Sequence, residues 1–198
     1  MDYCPAFVMH KVVMSRMNTV EPIRDKKTIE DVADFLKEKS DRNYVLFMFG
    51  IYSGRRISDI LKFRVRDVRN KSNVSIKEQK TGKEMKFPIN DELKPIIRDY
   101  IEGKPDYEFL FKSRKGKNEP ITRQQAYNIL NEAADAFDLY SIGTHTMRKT
   151  LGYHMYQKSH DIELVRKILN QTDEKSTRRY IGIDQEMVDK AMTKFSFK

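Results

Sequence analysis

Hydrophobic positions along this chain recur mostly at helical spacing, with one stretch that changes period. Ile29, Val32, Phe35 and Leu36 mark a first helix that runs to about Lys39, behind a Thr28 and Asp31 pair that resembles a capping box. A second helix is expected from Arg42 to Tyr52; it is apolar on nearly every face from Tyr44 onward, as a central core element would be. Ser53-Gly54 breaks it, and Ile57, Ile60 and Leu61 restart an apolar face in a third helix. From Val74 to Ile89 the alternation shifts to every second residue on either side of Thr81-Gly82, which predicts a β-hairpin with Pro88 at a strand end or edge. Helical spacing returns in Leu93, Ile96, Ile97, Tyr100 and Ile101, then in Ala126, Ile129, Leu130, Ala133 and Phe137 behind a Thr122 cap, and again in Ile162, Val165, Ile168 and Leu169. Lys112 to Pro120 reads as a basic loop, and Met187, Val188, Ala191, Met192 and Phe195 line a final amphipathic helix. The expected fold class is mainly α with a small antiparallel β-sheet at one edge (α+β). Residues 1–27 show neither period and are expected to form a basic arm, extended or ordered on contact.

Composition narrows the function classes. The longest apolar stretch, Val45 to Ile51, is far shorter than the roughly 18–20 residues of a membrane span, and no signal-peptide pattern opens the chain. The one cysteine, Cys4, excludes an internal disulfide, and the four histidines at 10, 145, 154 and 160 form no zinc-ligand pattern with it. A reducing cytoplasmic location, without membrane or metal, is the expectation. The formal charge of +9 brings in nucleic acid as a partner, because neutralised phosphates release counterions. Between Arg55 and Lys86, 11 basic residues face four acidic ones.

Candidate chemistry sits in short clusters. In Gly54-Arg55-Arg56-Ile57-Ser58-Asp59, a helix break delivers Arg56 to a first turn, and Asp59 one turn later shares its face and can orient the guanidinium. The same spacing also describes an ordinary surface ion pair. In Thr144-His145-Thr146-Met147-Arg148, His145 and Arg148 share a face at a helix start beside unbonded backbone N–H groups, an arrangement suited to phosphate or to a capped helix with incidental side chains. Lys80 stands in the hairpin turn Gln79-Lys80-Thr81-Gly82-Lys83, and Tyr180 lies between Arg178-Arg179 and Ile181-Gly182. Alone, each of these two also fits an ordinary solvated or packing residue.

Taken in this order and spacing, the four motifs resemble the catalytic domain of the tyrosine recombinase (phage integrase) family over roughly residues 28–185. The resemblance implies a catalytic domain at 28–183, after the 1–27 arm and before a C-terminal segment, 184–198, that either covers its own core or docks on a neighbouring protomer. It implies a site-specific recombinase or integrase acting on double-stranded DNA, for integration or excision of a mobile element. Tyr180 would attack a phosphodiester to give a 3′-phosphotyrosyl link; Arg56 and Arg148 would hold the nonbridging oxygens, Lys80 would protonate the 5′-oxygen, and His145 would bind phosphate or move the nucleophile's proton. No cofactor is implied. Where the family usually reads Leu-Gly-His, this chain reads Leu169-Asn170-Gln171, and Gln171 can donate a hydrogen bond but carry no proton, which implies reduced rather than abolished chemistry. The 27-residue arm is too short for the separate clamp domain of many relatives, so the expectation is either a catalytic fragment of a longer integrase or a short member with a reduced clamp. Arg55, Lys83, Arg114, Lys115, Lys117, Arg123, Lys149, Arg178 and Arg179 are the expected further DNA contacts. The expected assembly is a homotetramer on paired sites, with an accessory DNA-bending protein as a further possible partner. Two other readings remain open at this point: a type IB topoisomerase, and a non-cleaving DNA-binding regulator on the same fold.

Overall fold

The computed structural model describes residues 20–77, 82, 84–139 and 142–196. After an extended segment at 20–25 the chain forms α1 (Lys26–Lys39), α2 (Asp41–Ser53), α3 (Ile57–Ile60) and α4 (Val65–Val68). The strands β1 (Asn73–Lys77) and β2 (Glu84–Pro88) follow, then α5 (Leu93–Ile101), α6 (Arg123–Ala136), α7 (Thr146–Ser159), α8 (Ile162–Ile168), α9 (Glu174–Tyr180) and α10 (Ile183–Lys194). The mainly helical class with one small antiparallel sheet is as expected. Among the described residues no helix is long and apolar enough to cross a membrane.

Local chemistry sets most of the helix ends. The expected Thr28 cap of α1 is corrected by three residues: the Asp25 carboxylate accepts from the Thr28 backbone N at 2.7 Å and from its hydroxyl at 2.8 Å. A charged acceptor at a helix N-terminus also meets the positive end of the helix dipole, so Asp25 wins over the hydroxyl. Thr122 caps α6 as expected, in a reciprocal capping box with Gln125. The segments VRDV of α4 and EKSTRRY of α9 are too short or too polar to show an apolar period, so hydrophobic spacing predicts neither as a helix.

The register of the sheet pairs Asn73 with Pro88, Val74 with Phe87 and Ile76 with Met85, so Val74, Ile76 and Phe87 point into the core. There α2 is the central element: Val45, Leu46, Phe47 and Phe49 are at most 1% exposed. The Phe49 ring meets Phe63, Phe87 and Phe111 at centroid distances of 5.4, 6.4 and 5.9 Å. Each such side chain contributes roughly 1.5–3 kcal/mol of burial. A second, smaller cluster gathers Tyr153, Val165, Leu169, Ile181 and Ile183. Helix α7 is the wall between the two, because Met147 belongs to the larger core and Tyr153 to the smaller. Gly152 lets the smaller cluster close on α7: a Cβ there would lie 2.6 Å from Ile181 Cγ2 and 2.8 Å from Leu169 Cδ1. That contact brings the end of α9 against the middle of α7.

Candidate active site

Gly54 ends α2 in a left-handed conformation, φ 59°, which turns the chain so that Arg56 becomes the N-cap of α3. Asp59 is fully buried one turn on, 3.9 Å from the Lys62 ammonium. Arg55 goes the other way. Expected at the DNA surface, it is only 2% exposed; its Nε donates to the Ser53 carbonyl at 2.9 Å, its Nη2 to the Ile168 carbonyl, and its guanidinium stands 5.4 Å from the centre of the Phe87 ring. It ties the end of α2 to the end of α8.

His145 is the N-cap of α7, and Arg148 lies one turn further on. Arg148 is 1% exposed; Nη1 donates to the Gly54 carbonyl at 2.7 Å and Nη2 to the Leu169 carbonyl. One side chain thus joins the turn after α2, helix α7 and the end of α8. Tyr180, the last residue of α9, brings its hydroxyl to 3.3 Å from His145 Nδ1. The sequence separates these residues widely, and the two backbone carbonyls that anchor Arg148 left no signal in it. Helix α9 did leave one, since Asp173 caps it by accepting from Ser176 N at 2.8 Å, a readable Asp-x-x-Ser start.

The electrostatics are one-sided. Burial, then the charges of Arg148, Arg56, Lys149 and Arg123, hold the His145 imidazole below its usual pKa, so it is neutral at neutral pH. Burial raises the Tyr180 phenol, while Arg148, by charge and hydrogen bond, and Arg56 pull it back down. A neutral imidazole beside a phenol among fixed cations can take a proton from it, and the arginines favour the oxyanion that remains.

Other expected residues fall in different places. Lys80 and Lys83 lie outside the described residues. Gln171 follows α8, its backbone held by Arg166 from both sides: its N–H donates to the Arg166 carbonyl at 3.0 Å and its carbonyl accepts from Arg166 Nη1 at 3.2 Å. Arg114, Lys115 and Lys117 are exposed on the loop before α6, and Arg123 and Arg179 are exposed at α6 and α9. Arg178 is partly spent inside the protein, donating to Asp184 at 2.8 Å and to the Met187 sulfur at 3.2 Å. Lys149 is 9% exposed, donates to the Val20 carbonyl at 2.6 Å and faces the Tyr180 ring. Of the expected arm, 1–27, residues 20–27 are described: Lys26 and Lys27 belong to α1, and residues 20–25 pack along α7 with Ile23 buried.

Comparison with known proteins bears on the family and the fold. The chain is 48% identical over 170 residues to a probable integrase/recombinase, YoeC, of Bacillus subtilis (strain 168), covering 86% of this chain and 93% of that one. It is 26% identical over 172 residues to the tyrosine recombinase XerA of Pyrococcus furiosus, covering 84% of this chain but 58% of that one. The fold matches the crystal structure of the XerH site-specific recombinase bound to its palindromic difH substrate in a post-cleavage complex, with a TM-score of 0.65 at 19% identity over 89% of this chain and 54% of that one. The chain thus spans nearly all of the Bacillus protein but little more than half of the other two. The model of the phage integrase family matches residues 24–187, and with that match and the Bacillus relative the chain belongs to the phage integrase family.

Proposed function

We propose that this protein cuts and rejoins double-stranded DNA at specific sites, with Tyr180 as the nucleophile. The observation that carries the reading is the meeting of Tyr180 Oη with His145 Nδ1 at 3.3 Å beside the Arg148 guanidinium, three groups brought together from two chain segments. The phenol oxygen attacks the phosphorus, its proton passes to neutral His145, and the P–O5′ bond breaks. Arg148 and Arg56 meet the charge that gathers on the nonbridging oxygens, and Lys80 supplies the proton to the departing 5′-oxygen. The 3′-phosphotyrosyl bond keeps the energy of the phosphodiester, so a 5′-hydroxyl from another strand can reverse the step with neither metal nor ATP. Gln171 takes the place of a histidine and donates a hydrogen bond to the phosphate, which slows the chemistry without abolishing it.

The same reading makes integration or excision of a mobile element in the cytoplasm the setting, and a tetramer on two paired sites the working assembly, with an accessory DNA-bending protein where the site requires one. Helix α10 supports the assembly: Met187, Val188, Met192 and Phe195 are 54–72% exposed, an apolar face that a second copy of this chain would cover. The test is incubation with supercoiled plasmid in EDTA without ATP, stopped with SDS, beside a Tyr180→Phe variant. The expected result is a denaturation-resistant protein–DNA adduct that the variant does not form. Adduct formation with relaxation but no strand exchange between partner sites would favour a topoisomerase, and DNA binding without any adduct a regulator.

A further inference from the structure

Lys149 directly follows Arg148, so it leaves α7 on a different face. Its ammonium is enclosed between two groups, the Val20 carbonyl at 2.6 Å and the Tyr180 ring, whose centre is 5.1 Å away. The segment that supplies the carbonyl is fastened along α7. Ile23 N donates to the Thr150 hydroxyl at 2.9 Å, His154 Nε2 lies 3.0 Å from the Ile23 carbonyl, and the Arg24 guanidinium stands 5.6 Å over the Tyr153 ring and 3.8 Å from the Glu186 carboxylate of α10. At one end Val20 closes on Gly143, just before His145; at the other Arg24 closes on Gly182, just after Tyr180. Residues 20–24 therefore form a strap that touches the chain on either side of the His145–Tyr180 pair, with Lys149 beneath it.

An ammonium is costly to bury, and a methylene chain of the same length would fill this space at less cost. What the charge adds is attraction to the negative face of an aromatic ring, together with a fixed positive field at short range. Building on the proposed strand cleavage, we infer that Lys149, pinned by the Val20 carbonyl, is a positioning residue that seats the Tyr180 ring against His145 and Arg148 and holds a positive charge behind the pair. Among the described residues, the charged groups that face the pair are cationic: Arg148 and Lys149 from α7, Arg56 from the start of α3 and Arg123 from α6. Glu21 and Arg24 of the strap face Lys149 itself. Because a nearby cation disfavours imidazolium, Lys149 helps to keep His145 neutral, and removing its charge makes His145 easier to protonate.

The test compares Lys149→Met, which keeps the stem and loses the charge, with Lys149→Arg. In DNA-free protein, NMR titration of the His145 imidazole is expected to move to higher pH in Lys149→Met and to stay close to the parent in Lys149→Arg. In the plasmid adduct assay at saturating DNA, Lys149→Met is expected to slow adduct formation roughly fivefold to thirtyfold and to shift the acidic limb of the pH profile upward, with DNA affinity unchanged. Lys149→Arg should recover most of the rate. An unchanged His145 titration in Lys149→Met overturns the inference. So does a loss of DNA affinity with normal rate at saturation, which would make Lys149 a phosphate contact, and so does an equal loss of rate at every pH with a lowered melting temperature, which would make it a packing residue. If the parent protein forms no adduct, the proposed function fails, while the His145 titration still decides the place of Lys149.

Discussion

Arg55 and Arg56 are adjacent in the chain and differ in burial, Arg55 being buried and Arg56 half-buried. A helix break followed by two arginines told where a guanidinium would reach a helix start, but not which of the two would turn inward, because that depends on the Ser53 and Ile168 carbonyls, and the second of these lies more than a hundred residues away. The neighbours therefore separate stability from chemistry. Replacing Arg55 with Met leaves two carbonyls without their donor, at a cost of about 2–4 kcal/mol, and is expected to lower the denaturation midpoint while the folded fraction still forms the DNA adduct. Arg56→Met should do the reverse, keeping the midpoint within about 1 kcal/mol and lowering the adduct rate by about a hundredfold or more. Denaturant melts read beside adduct rates would show the two patterns, and identical behaviour of the two variants would contradict the assignment.

Among the elements, those with an apolar period were legible and those without one were not. α2, α5, α6 and the hairpin lie close to where alternation and helical spacing put them, because burial against a common core imposes that spacing. α9 carries the proposed nucleophile yet has only Thr177 buried within it, and the strap at 20–24 has no repeat at all; both are held by capping, backbone hydrogen bonds and contacts from distant segments. Helix α7 gathers these irregular pieces, and at Gly152 it meets the residue that follows α9, Ile181. Gly152→Ala tests two opposed effects. Alanine favours a helix interior over glycine by about 1 kcal/mol, but its methyl would meet the side chains of Leu169 and Ile181, both fully buried and unable to give way, at about 1–3 kcal/mol. The clash is expected to win. Because Ile181 directly follows Tyr180, the loss of adduct rate should exceed what the unfolded fraction explains, and an unchanged rate per folded molecule would show that the α7–α9 contact does not set the position of Tyr180.

Over the whole molecule, net charge indicated the class of partner better than it located the contact surface. The cation-rich run from Arg55 to Lys86 spends several of its charges internally: Arg55 is buried, Arg64 lies 4.1 Å over the Phe109 ring, and Arg69 donates to Asp106 at 2.7 Å and to the Lys104 carbonyl. The loop of Arg114, Lys115 and Lys117 is different. Its base is fixed by the bridge between Lys112 and Pro120 and by Ser113 N donating to the Glu119 carbonyl at 2.7 Å, and its cations stay exposed. It leads into α6, whose first residue, Arg123, is near enough to the site to lower the His145 pKa. With its cations exposed, this loop is the proposed contact for the DNA backbone. Each phosphate that a cation neutralises adds about 0.9 to the slope of log affinity against log salt, whatever the base sequence. Replacing Arg114, Lys115 and Lys117 together with Gln should therefore weaken binding to any duplex, flatten that slope by about 0.9 for each phosphate left without its cation, and leave the melting temperature unchanged. Lys149→Met, buried beneath the strap, should leave the same slope as the parent. If the loop variant keeps the parent slope, the DNA path lies elsewhere and the exposed charge of this loop serves solubility alone.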